Sequence, residues 1–123
     1  SLTYISTGTT NETIYFGIGP VSNVTNINVA GTATATNFIL SSDKTLKDKI
    51  KNIKANHVDI KWKNFELISE PGVKRSGVIA QELEEKHPEF IRTDKDGLKS
   101  VAYIDLLITK IAELEARIKK LEK

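Results

Sequence analysis

The chain has 123 residues, 39% of them apolar and 28% charged, with a net charge of +2 and no cysteine. That is about one ordinary domain, and it excludes a disordered polyelectrolyte, disulfides, thiolate metal sites and cysteine nucleophiles. The small net charge gives no footing for nucleic acid, no apolar run approaches the roughly 20 residues of a membrane span, and no basic, apolar leader opens the chain, so neither a membrane nor a secretory role is expected.

The first feature in chain order is a break in composition. Residues 1–41 carry no Lys or Arg and one acid, Glu12, for a net charge of −1; residues 42–123 hold all 18 Lys and Arg and the other 15 acids, for +3. Two structural units are expected, divided between Ser41 and Ser42. The first is rich in Thr, Asn, Gly, Val and Ile, which suit strands and turns. Gly17, Gly19 and Pro20 mark a turn. Residues 24–36, VTNINVAGTATAT, alternate around Ile27 and Val29 and again over Thr32–Thr36. Forty-one small-side-chain residues cannot enclose a core alone. This segment therefore reads as the end of a longer β-rich protein and as a strand set within an intertwined oligomer. Tyr4 and Tyr15 offer no platform for a sugar.

The second unit reads as α+β. Ser42-Asp43 precedes Leu46, Ile50 and Ile53, the pattern of a short capped amphipathic helix. Val58, Ile60 and Trp62 alternate with Asp59 and Lys61 as a half-buried strand with Trp62 in the core. Phe65, Leu67 and Ile68 continue the extended chain, and Glu70-Pro71-Gly72 turns it. Ser76–Ile79 leads into a helix over Ala80–Lys86 that stops at His87-Pro88. Phe90–Thr93 and Lys99–Tyr103 flank Asp94-Lys95-Asp96-Gly97 as a hairpin. Finally, Ile104, Leu107, Ile111, Leu114, Ile118 and Leu121 recur every three and four residues. This is a heptad with Ile at a and Leu at d, and Glu113, Glu115, Arg117, Lys119, Lys120 and Glu122 fall on the outer faces. Such a helix is marginal alone and is expected to associate with copies of itself, although packing on its own domain is the other reading. Ile at a with Leu at d favours two strands.

Candidates for chemistry are few. Ser42 and Lys47 could form a nucleophile and its base, since burial or neighbouring cations such as Lys44 and Lys49 can strip a lysine of its proton. Spacing alone favours the plainer reading, with Ser42 or Asp43 as a helix cap and Lys47 as a solvated surface residue. Phe16–Pro20 lacks the spacing of a phosphate-binding loop. Asp94 and Asp96 lack the glutamate that a calcium loop needs, so a turn is the better reading. Glu82, Glu84 and Glu85 read as the solvated face of a helix. His57 and His87 have no ligand-spaced partner. No metal and no cofactor are expected.

Several motifs now stand in one order: Ser42-Asp43-x-x-Leu46-Lys47-x-x-Ile50, Gly77-Val78-Ile79-Ala80-Gln81-Glu82-Leu83, Pro88-Glu89, and Asp96-Gly97-Leu98-Lys99-Ser100-Val101-Ala102-Tyr103, followed by the terminal heptads. Together they resemble the C-terminal intramolecular chaperone of bacteriophage tail spikes and tail fibres, the self-cleaving domain shared with phage endosialidases and classed as peptidase family S74. Residues 28–36 resemble the fibre stem that precedes it. The resemblance implies a homotrimer in which residues 1–41 end a β-rich stem, residues 42–123 form the chaperone, and 104–123 form its coiled coil. It implies a partner set of the chain's own copies and the upstream stem, with no nucleic acid and no membrane. The chaperone registers three stem chains and then frees itself by cutting Ser41–Ser42, with Ser42 as nucleophile, Lys47 as base and Asp43 positioning them. It implies assembly in the host cytoplasm and a mature fibre on the virion tail. A permanent trimerising cap without proteolysis is the rival expectation.

Overall fold

The structure is a computed structural model that describes residues 17–18, 22–23 and 27–122. The chain forms two compact units, Ser1–Leu46 and Lys47–Lys123. These meet between Leu46 and Lys47, whereas composition changes between Ser41 and Ser42.

In the first unit, β1 (Gly17–Ile18) pairs antiparallel with β2 (Ser22–Asn23), in register Gly17 with Asn23 and Ile18 with Ser22. Gly19 and Pro20, expected to turn the chain, lie outside the described residues, as do Tyr4, Glu12 and Tyr15. Residues 27–43 contain no helix or strand, and Ile27, Val29, Phe38, Ile39 and Leu40 are exposed. The strands expected at Ile27–Val29 and Thr32–Thr36 are thus absent. Alternation prepares a strand, but its N–H and C=O groups need a neighbouring edge to pair with, and the single chain supplies none there.

The helix expected after Ser42-Asp43 is also absent. A single 3-10 turn, Lys44–Leu46, takes its place. Leu46, Ile50 and Ile53 stay exposed. Lys49 adopts the left-handed conformation at φ 52°, with its N–H bonded to its neighbour Asp48 Oδ1 at 2.8 Å. A left-handed residue interrupts a right-handed helix at a cost of about 1–2 kcal/mol, and a helix this short forms only when its apolar face is covered.

The second unit is α+β. β3 (Lys63–Phe65) and β4 (Arg75–Gly77) form an antiparallel pair that joins Lys63 to Gly77 and Phe65 to Arg75. Ser76 Oγ donates across it to Asn64 Oδ1 at 2.8 Å. Gly72, at φ 87°, closes the connecting turn, and its N–H reaches Glu66 Oε1 at 2.7 Å. Ser76 and Gly77 therefore end a strand rather than enter a helix. Helix α1 (Ala80–Glu84) follows, and its last turn closes with His87 N–H on Leu83 C=O at 2.9 Å. Pro88 cannot extend it and opens a 3-10 turn to Phe90. β5 (Ile91–Thr93) and β6 (Lys99–Val101) form the expected hairpin. Asp94 Oδ1 builds its turn by accepting from the N–H groups of Asp96 and Leu98 at 2.8 and 2.9 Å, and Gly97 supplies the φ of 84°. Helix α2 (Tyr103–Leu121) ends the fold, about 28 Å long. Asp105 near its start and Lys119 and Lys120 near its end suit the helix dipole.

The core is small. Val58, Val78, Leu83, Phe90, Ile91 and Leu106 are buried, with Ile60, Ala80 and Val101 packed against them. Against these six, twenty-two large apolar side chains stay exposed among the described residues. The expected strand at 58–62 is irregular chain. Its alternation still works, since Val58 and Ile60 face the core, but Trp62 is 52% exposed because the core ends at Ile60.

Gly77 carries a packing constraint. The Tyr103 hydroxyl accepts from Val78 N–H at 3.0 Å, and a Cβ on Gly77 would overlap that hydroxyl and press on the Tyr103 and Phe65 rings. Gly77→Ala is expected to cost about 1–3 kcal/mol by overpacking, measured by urea denaturation followed by circular dichroism. Unchanged stability would contradict the close approach.

Candidate functional site

The bond Ser41–Ser42 lies on exposed chain without helix or strand. Three exposed apolar residues, Phe38-Ile39-Leu40, lead into it. A peptide bond outside regular structure can bend toward an attacking group without first breaking a ladder of hydrogen bonds. Immediately after it, Asp43 organises the 3-10 turn. Its Oδ1 accepts from Thr45 N–H at 2.9 Å and from Thr45 Oγ1 at 2.7 Å, and its C=O accepts from Leu46 N–H at 3.0 Å. The bond from Thr45 N–H, then that from the hydroxyl, holds the Asp43 carboxyl below its usual range. Asp43 thus stays an anion that shapes the backbone following Ser42. Ser42 and Asp43 belong to the first unit and Lys47 opens the second, and both Ser42 and Lys47 are exposed.

The heptad residues lie where a second face would be. Ile104, Leu107, Ile111, Leu114, Ile118 and Leu121 of α2 are all exposed, joined by Ile108. The helix does not turn this stripe onto its own domain. It packs instead through Leu106, which is fully buried, and Glu113, which is 3% exposed. α2 therefore has two faces, one apolar and open, the other built on Leu106, Lys110, Glu113 and Arg117.

Glu113 was expected on an outer face; the structure buries it. Its Oε1 accepts from Val58 N–H at 2.8 Å and from Lys110 Nζ at 3.1 Å. Its Oε2 meets His57 Nδ1 and Arg117 Nη2, each at 3.1 Å. A buried carboxylate is tolerated when its oxygens are this fully bonded. The signal in the sequence was the spacing Leu106, Lys110, Glu113, Arg117, a second helical stripe beside the apolar one. Helical i,i+3 and i,i+4 neighbours meet, which brings both cations to the carboxylate. The Val58 N–H first, then His57 and Lys110, hold the Glu113 carboxyl down to about 2 against an opposing effect of burial.

A carboxyl whose folded value is lowered stabilises the fold above its unfolded value and loses that contribution as pH falls through the folded one. Glu113 therefore contributes fully above its ordinary 4.5 and ceases to do so toward pH 2. Glu113→Gln is expected to flatten the acid side of the stability profile in that window, read by denaturant unfolding at a series of pH values. Parallel profiles for the two proteins would contradict it.

The remaining charged candidates are structural. Glu84 pairs with Lys99 at 3.0 Å and Glu82 with Lys63 at 3.9 Å, so these two are half-buried partners rather than a solvated face. His87 contacts Glu89 at 3.3 Å. Among the described residues, no cluster of three or more His, Asp or Glu could hold a metal, and no helix is long and apolar enough to cross a membrane.

Residues 42–92 match the model of the Peptidase_S74 family, described as chaperone of endosialidase. The resemblance read from the motifs is thereby supported over that segment, and the match begins on Ser42 itself. No curated protein and no solved structure matches the chain.

Proposed function

We propose that the chain is a trimerising intramolecular chaperone that brings three copies of a β-rich phage fibre or spike stem into register and then releases itself by cutting Ser41–Ser42. The observation that carries this reading is the family match over 42–92, which starts at the residue proposed as the new N-terminus. The exposed bond and the open apolar stripe on α2 support it. Assembly would take place in the host cytoplasm, with the stem remaining on the virion tail and the chaperone discarded.

The physics of this role is coherent. Intertwined β-structure has high contact order and a slow registration step. A tethered trimeriser raises the effective concentration of the three chains. Removing it afterwards traps the product, whose refolding without help is slow.

In the proposed reaction Ser42 Oγ attacks the carbonyl carbon of Ser41. Lys47, unprotonated at that moment, takes the hydroxyl proton and passes it to the Ser42 nitrogen as the C–N bond breaks. An ester now links Ser41 to Ser42 Oγ, and water hydrolyses it to a Ser41 carboxylate and a free Ser42 hydroxyl. The nucleophile is adjacent to its target, so proximity supplies much of the rate. A lysine base requires burial or nearby cations. Lys47 is exposed in the single chain, so association of chains is what would bury it. That ties cutting to assembly.

The same exposure of Lys47 favours a second reading, a permanent trimerising cap that never cuts. Denaturing mass spectrometry of freshly expressed protein separates the two. A fragment beginning at Ser42 supports the first, and a chain that remains whole supports the second.

A further inference from the structure

The Glu113 cluster has a role that packing alone does not require. Both main-chain polar groups of Val58 are satisfied by side chains of α2. Its N–H donates to Glu113 Oε1 at 2.8 Å, and its C=O accepts from Lys110 Nζ at 3.0 Å. Lys110 Nζ in turn donates to Glu113 Oε1 at 3.1 Å, which closes a ring of bonds around one residue. This is the pairing a neighbouring strand would supply, delivered here by two helix side chains. His57 and Arg117 flank the ring on Glu113 Oε2, and Arg117 Nη2 also lies 3.1 Å from His57 Nδ1. Val58 seats its side chain in the core.

What the ring holds is the arm that begins at Lys47. Residues 47–62 contain no helix or strand. Between Asp48 and Asn56 the chain bends through local bonds, such as Asn56 N–H to Lys54 C=O at 2.8 Å. Val58 is where this arm enters the core. The ring exists only when α2 is helical, since only a helix brings positions 110, 113 and 117 to one face.

We propose that Glu113 is a positioning residue for the self-cleavage: by fastening Val58 to α2, it sets the arm that carries Lys47 only after α2 has folded. This rests on the cleavage reading above. It makes cutting conditional on a folded α2, so that a chain in which this helix has not formed keeps its chaperone attached. Without the carboxylate, Val58 N–H loses its partner where water is scarce, Lys110 Nζ keeps only the Val58 C=O, and the arm loosens.

The test uses the full chain carrying Glu113→Ala, Glu113→Gln or Lys110→Met. Three quantities are followed: the rate of appearance of the Ser42 fragment, hydrogen exchange at the Val58 amide, and exchange at the amides of β5 and β6. Glu113→Ala is expected to slow cutting roughly 10–100-fold, the usual penalty for a small misplacement of reacting groups. It is also expected to speed exchange at Val58 by a larger factor than at the β5–β6 amides, which lose only what the whole fold loses. Glu113→Gln, whose amide oxygen can still accept from Val58 N–H, recovers part of the rate. Lys110→Met slows cutting by the same route. Cutting at the parent rate in both Glu113→Ala and Lys110→Met overturns the proposal. So does a loss of β5–β6 protection that matches the loss at Val58, since Glu113 would then act only through the stability of the whole fold. Failure of the cleavage reading has a different signature: the parent stays whole and matches Ser42→Ala. The positioning role then falls with it, and faster Val58 exchange in Glu113→Ala shows that the anchor itself remains.

Discussion

Ser42→Ala is expected to leave the chain whole. Without the hydroxyl there is no group on that residue to attack the Ser41 carbonyl, and removal of a serine nucleophile lowers a peptidase rate on the order of 10⁶-fold. The proposed reaction, complete in the parent during expression if the cleavage reading holds, then becomes undetectable, and denaturing mass spectrometry is expected to return one species. The substitution removes one oxygen from an exposed residue outside helix and strand, and the oligomeric state and the circular dichroism spectrum are expected to stay those of the parent. Asp43 still has Thr45 to organise the turn. Normal cutting in Ser42→Ala would show that another group is the nucleophile. A variant that neither cuts nor assembles would point to a structural role for Ser42.

The second large effect is expected at the helix. Leu107 and Leu114 are 45% and 43% exposed in the single chain. Aspartate at either position can therefore keep its carboxylate in water within one copy. In a bundle both positions turn inward, and each buried carboxylate then costs several kcal/mol. The double substitution Leu107→Asp, Leu114→Asp is expected to dissociate the assembly in sedimentation velocity. It should also lower helix content, because a lone helix of this length is marginal. Cutting should fall with it if association is what buries Lys47. An unchanged oligomer would instead make the hairpins and α1 the organisers of assembly.

The sequence was most readable where one local signal decided the structure. Asp94-Lys95-Asp96-Gly97 marked its hairpin because aspartate builds such a turn through its own carboxylate and glycine accepts the positive φ. Helix α1 and its stop before Pro88 were equally legible. The long period of α2 marked the helix but not both of its faces. The apolar heptads concealed the second stripe, in which a glutamate, a lysine and an arginine look like ordinary solvated residues. Nothing at Glu113 itself reveals that the main chain of Val58, 55 positions earlier, comes to meet it. Patterns whose apolar face is left uncovered in the single chain were the ones misread. Leu46, Ile50 and Ile53 have helical spacing, and residues 27–36 have strand spacing, yet neither forms its element in a single chain. Trp62 failed differently, since its alternation is correct but it stands beyond the edge of a small core.

The two exposed patterns and the open stripe of α2 are accounted for together if three copies share their apolar surfaces before the bond ahead of Ser42 breaks. Native mass spectrometry of the expressed protein, followed by N-terminal sequencing of the C-terminal piece, tests this in one preparation. The expected result is a trimer whose C-terminal piece begins at Ser42. A monomer, or a trimer in which every chain still runs intact through Ser41 and Ser42, would contradict it.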